Sequence, residues 1–138
     1  MIRRFFSIAA LSLAFAAPAL AQSSPLVLDA PAAYGRAKSN MFKELAKGRG
    51  MAHLNNSVNT CYGIVGHDLK KAQYCYALHA VSAEYDTAVL QKLGINSQTP
   101  GFTYEERIGR FARVCLRLGY GPEQCGLMLR EWRVAWGG

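Results

Sequence analysis

The placing of four cysteines constrains this chain more than any other feature. Cys61 and Cys75 flank Gly66-His67-Asp68, while Cys115 and Cys125 flank Gly119 to Pro122, so each pair brackets a helix breaker. Apolar residues at helical spacing run away from both breaks. Of the three pairings that four cysteines allow, Cys61 with Cys75 and Cys115 with Cys125 are therefore expected, each stapling a helical hairpin. A straight rod through the glycines would hold Cys61 and Cys75 about 20 Å apart at 1.5 Å per residue, beyond the reach of a disulfide. Closing loops of about 15 and 11 residues should each stabilise the fold by roughly 3 kcal/mol. A zinc site is the competing use of the four thiols, but no Cys-x-x-Cys or Cys-x-x-His spacing is present.

The first residues indicate an oxidising compartment. Arg3 and Arg4 precede an apolar run from Phe5 to Ala17, and Pro18-Ala19-Leu20-Ala21 closes it before Gln22. A basic start, a short apolar middle and an Ala-x-Ala end make up a cleavable secretory signal, so 1–21 is expected to be removed. The run is too short to cross about 30 Å of hydrocarbon, and no later stretch approaches about 20 apolar residues, so no membrane span is expected after cleavage. Cleavage leaves Gln22–Gly138, 117 residues, and reduces Lys plus Arg from 16 to 14 against nine acids, a net charge of +5. A chain of this size builds one domain with little margin, which is where covalent cross-links help.

Residues 22–29 read as a flexible leader, with Ser23-Ser24-Pro25 and no helical period, and 30–138 as a single helical domain. Asp29 offers an N-cap and Pro31 fits the first turn. Ala30, Tyr34, Ala37, Met41 and Leu45 make the buried stripe of a first helix that ends at Gly48-Arg49-Gly50. Met51, Leu54, Val58, Cys61 and Val65 make that of a second, and Leu69, Ala72, Cys75, Tyr76, Ala80, Ala83, Thr87 and Leu90 that of a third. Gly94-Ile95 predicts a Schellman ending for the third helix. Thr103 and Glu106 have capping-box spacing at the start of a fourth. That helix buries Ile108, Phe111, Cys115 and Leu118 and stops at Gly119. Pro122 opens a fifth, with Cys125, Met128, Leu129, Trp132 and Trp136 on one side. The expected fold is all-α, a small bundle of about five helices.

Chemically capable side chains fall into three groups. His67 and Asp68, with Tyr62 and Tyr74 nearby, form the one compact cluster, in which Asp68 serves equally well as a helix cap. His67-Asp68 followed by Cys75-Tyr76 resembles the His-Asp and Cys-Tyr elements of secreted phospholipases A2, over about ten residues. That resemblance implies a small hydrolase in which His67 activates water and Asp68 holds calcium. The sequence departs from the pattern in its cysteine spacing and in having no glycine-rich calcium loop upstream. His53, His67 and His79 stand at different heights along a hairpin folded at 67 and do not converge on a metal, so no metal or cofactor is expected. On the fourth helix Arg107, Arg110, Arg113 and Arg117 form a stripe on the side away from Phe111 and Cys115, and Arg130 and Arg133 extend it. A planar guanidinium fork suits carboxylates and phosphates. Trp136, close to the C-terminus, is expected to be exposed and to touch a partner.

These features favour an exported, periplasmic or secreted binding protein over an enzyme. The most concrete form is an inhibitor or immunity-type protein that neutralises an envelope-active enzyme through an acidic surface. Cys61-Tyr-Gly-Ile-Val-Gly followed by Cys75 is similar to the Cys and Gly pattern of some helical periplasmic immunity proteins of type VI secretion. A periplasmic carrier of a small apolar ligand and the His67-Asp68 hydrolase are the alternatives. Nucleic acid is not an expected partner of an exported chain.

Overall fold

The computed structural model describes residues 29–136; the signal expected at 1–21 and all of the leader but Asp29 lie outside the described residues, as do 137 and 138. Five helices follow in order: α1 (Ala30–Ala46), α2 (Met51–Gly63), α3 (Leu69–Lys92), α4 (Tyr104–Arg117) and α5 (Pro122–Ala135). The fold is all-helical, and both staples are formed as the cysteine spacing predicts: Cys61–Cys75 and Cys115–Cys125, with Cα atoms 5.5 and 6.0 Å apart.

Local chemistry sets the ends of the helices. The Asp29 carboxylate accepts the Ala32 N–H at 3.1 Å, and the Asp68 carboxylate accepts the Lys71 N–H at 3.2 Å. At the end of α3 the Ile95 N–H reaches the Leu90 carbonyl and the Gly94 N–H the Gln91 carbonyl. With Gly94 at φ 71°, these are the two bonds of a Schellman motif. The Thr103–Glu106 capping box is complete.

α3 is the axis of the molecule, packing against α1, α2 and α4, while α5 packs on α4 and touches α1. From Ala72 to Ala83 every residue of α3 is buried except Tyr74, which is half-buried. The expected single stripe on α3 is therefore replaced by burial all round, the mark of a central helix. Alanines 72, 77, 80 and 83 let neighbouring helices approach closely, and Gln73, His79, Ser82 and Asp86 are taken inside with them. On α2, Tyr62 takes the core position expected for Cys61, which is half-buried. Leu54, Val58 and Tyr62 recur every four residues and give that face its larger side chains. On α4, Val114 joins Phe111 and Cys115 in the core, while Ile108 and Leu118 are half-buried.

The 96–102 connection is fastened onto α3 by the buried polar groups. Asp86 accepts the Thr99 N–H at 2.9 Å and the Thr99 hydroxyl. His79 Nε2 donates to the Gly101 carbonyl at 2.7 Å, and Glu106 accepts the Gly101 N–H at 2.7 Å. The carbonyl can only accept, so the His79 proton sits on Nε2, and Nδ1 is left buried with no partner among the described residues. Protonating Nδ1 would place a charge there with nothing to receive it. Burial accordingly pulls the His79 pKa down to about 4, against the opposing Gly101 bond.

Candidate functional site

The arginine stripe divides between two hollows that share no lining residue. At 100° per residue Arg107 lies about 40° from Phe111 around α4, whereas Arg113 lies about 160° away. Arg107 thus belongs to the core side and is half-buried, while Arg113 and Arg117 are exposed. The expectation that all four point away from Phe111 fails for Arg107, and the helical wheel already contained that signal.

The larger hollow is a cleft of about 600 Å³ bounded by α1, α3, α4 and α5. Its walls carry four rings, Tyr34, Tyr76, Tyr104 and Trp136, with Ala80, Ile108 and Leu129 between them. Its cations are Arg107, Arg130 and Arg133, and Glu84 is the acid in its lining. Four of the seven predicted binding residues, Arg107, Arg130, Arg133 and Trp136, therefore meet here.

The rings hold one another in place. Trp136 stacks on Tyr76 with centroids 5.6 Å apart and packs against Tyr34 at 5.4 Å. Tyr76 packs in turn on Phe111 and Trp132 at 5.3 and 5.6 Å. Trp136 is not the exposed residue expected from its place near the C-terminus. It is half-buried, and its Nε1 donates to the Ala30 carbonyl at 2.7 Å, tying the end of the chain to the start of α1. No local sequence pattern signals a bond across that separation.

Arg107 is positioned by these rings rather than by an acid. Its guanidinium carbon lies 5.5 Å from the Tyr104 ring centroid and 5.9 Å from that of Tyr76, within cation–π range. Its Nε is buried with no partner among the described residues. The Tyr34 hydroxyl donates to Glu84. Burial, and then that carboxylate, push the Tyr34 phenol up to about 12. Burial likewise raises the Tyr76 phenol against the opposing pull of Arg107. Both phenols thus remain neutral donors at ordinary pH, and the charge of the cleft is set by its three guanidiniums and Glu84.

The second hollow, about 370 Å³, lies between α2 and α4 and holds Arg110, Arg113 and Arg117. Arg110 Nη1 donates to Asn59 Oδ1 and to Asn55 Oδ1, and Arg117 Nη2 donates to the Tyr62 carbonyl at 3.4 Å.

The His67-Asp68 cluster is not assembled. His67 is exposed, and Asp68 is engaged as the N-cap of α3. Tyr62 turns into the core, edge-on to His79 at 6.2 Å, and burial raises its phenol pKa. Among the described residues no hydrogen bond joins His67 to Asp68, and no group of three metal-ligating side chains converges. All four cysteines are in disulfides, which replaces the zinc alternative.

Comparison with known proteins adds no identity: no protein family, no curated protein and no solved structure matches this chain.

Proposed function

We propose that the protein works by binding, as an exported inhibitor or immunity-type protein that neutralises an envelope-active enzyme, with the cleft between α1, α3, α4 and α5 as its receptor surface. The observation that carries this reading is the meeting of Arg107, Arg130, Arg133 and Trp136 in one concave, ring-lined site. Tyr, Trp and Arg are the side chains that concentrate binding energy at interfaces, and rings already stacked on one another lose little entropy when a partner arrives. Three guanidiniums against one carboxylate select an acidic protrusion on the partner. Two disulfides suit an oxidising space, and no described helix is long and apolar enough to cross a membrane.

The size of the cleft supports a second reading, a periplasmic carrier, because about 600 Å³ falls within the usual range for small-molecule sites. Its cargo would need an anionic group to meet the arginines, rather than being wholly apolar.

One experiment separates the two. Periplasmic extract is passed over the wild-type protein and over Arg130→Glu/Arg133→Glu, two exposed positions whose change leaves the core intact. The inhibitor reading expects one stoichiometric protein on the wild type, loss of that protein on the variant, and inhibition of its enzymatic activity by the wild type alone. Native mass spectrometry that finds a small molecule retained, with no protein captured, establishes the carrier instead. Equal capture by both forms removes the cleft from either reading.

A further inference from the structure

We infer that the recess between α2 and α4 is a phosphate-binding site, separate from the ring-lined cleft. Arg110, Arg113 and Arg117 lie on one side of α4, with the outer two about 10 Å apart along the axis at 1.5 Å per residue, close enough for their long side chains to meet over a single group. The rest of the lining is Asn59, Tyr62, Gly63 and Val114, with no acidic side chain. Among the described residues the ion pairs all involve Glu44, at the far end of α1, and none reaches these three arginines.

How the three are held matters more than their number. Arg110 is oriented by the amide oxygens of Asn55 and Asn59, and Arg117 by the backbone carbonyl of Tyr62. These acceptors are neutral, so they orient the guanidiniums without pairing their charge, although Arg110 also feels the Glu106 carboxylate one turn earlier on α4. Capping the carbonyl end of α2 accounts for Arg117 by itself. It does not account for Arg113, which is exposed and makes no hydrogen bond or ion pair among the described residues.

Three like charges set side by side, two of them aimed by neutral groups, form a seat for a compact, multiply charged oxyanion. A carboxylate offers two oxygens and one charge, fewer than three forked donors can use. A phosphate group offers three or four oxygens and up to two charges, and guanidinium forks bind it in bidentate fashion. The two sources of that chemistry are free phosphate and a phospholipid head group.

The test uses inorganic phosphate in one arm, followed by amide chemical-shift mapping. In the other arm, vesicles of phosphatidylcholine with and without phosphatidylglycerol are sedimented with the protein. Saturable shifts confined to 59–63 and 110–117 identify free phosphate as a ligand, and sedimentation only with phosphatidylglycerol identifies the head group. In either case Arg113→Ala, a change at an exposed side chain, should weaken binding on the order of tenfold while leaving the melting temperature unchanged. Arg133→Ala, in the other hollow, should leave phosphate binding as it was. Absence of binding in both arms, full binding by Arg113→Ala, or equal weakening by Arg133→Ala would each overturn the inference.

Discussion

The staple between α2 and α3 runs from the core to the surface, whereas the staple between α4 and α5 lies wholly inside the core. Cys75 is buried, but Cys61 is half-buried, and the pair borders a hollow beside Ile64, which is 68% exposed. Cys115 and Cys125 are both buried, in one cluster with Phe111, Met128 and Trp132. The same device, a breaker bracketed by cysteines, thus does two jobs. Around α2 and α3 it fixes where one helix leaves off and the next begins. Around α4 and α5 it is also part of the packing that supports the ring-lined cleft.

The strongest way to break this distinction is to truncate the large apolar side chain beside each staple. Trp132→Ala under the second should cost about 3–5 kcal/mol in chemical denaturation. Ile64→Ala beside the first should cost less than about 0.5 kcal/mol. Comparable losses would mean that the two hairpins do not differ as described.

Removing each staple comes next. Paired Cys→Ala changes should each lower stability by about 3 kcal/mol through loop closure. The Cys115/Cys125 pair should lose somewhat more, because both of its cysteines are buried, against one in the other pair. Mild reduction followed by alkylation and peptide mapping should label Cys61 and Cys75 first, and early labelling of Cys115 would reverse the assignment.

Acid probes a third region that neither staple controls. The His79 pKa is about 4 when folded, against an ordinary value near 6.5. Between those values the unfolded chain binds the extra proton. The neutral imidazole's contribution is therefore complete above about pH 6.5 and is lost as pH falls towards about 4, by about 3 kcal/mol in all. Glu106 adds to the loss at lower pH, because its Thr103 and Gly101 bonds hold its carboxyl below the usual range. A denaturation series over that range with His79→Gln as reference checks this, and a parallel pH dependence in the variant would clear His79 of the effect.

Gly101→Ala should cost upwards of about 1 kcal/mol. Gly101 has φ 95°, and a Cβ there would lie 2.7 Å from the Asn55 side chain. Since Asn55 also receives Arg110, this variant should weaken phosphate binding slightly while sparing the other cleft.

What could be read in the chain was whatever its neighbours in sequence decide. Asp29, Asp68, Gly94, Thr103 with Glu106, and Pro122 each act within one turn, so the helix limits follow from them. The cysteine pairing follows from the same breakers. Burial of His79 and Asp86 was not readable, because it depends on a distant loop folding back over α3. Arg107 was readable from its angle to Phe111, and a charged residue was placed outside by residue type instead. The face of Trp136 was readable from its stripe with Trp132, but its latch was not, since the partner is the Ala30 carbonyl 106 residues away in the chain.

The latch from Trp136 to Ala30 also bears on the order of assembly. In synthesis the start of α1 precedes the tryptophan by 106 residues, so the ring-lined cleft stays unfinished until α5 and Trp136 have followed, whatever the earlier helices have achieved. Replacing Trp136 by Ala should therefore unlatch the cleft while leaving most of the helical structure in place.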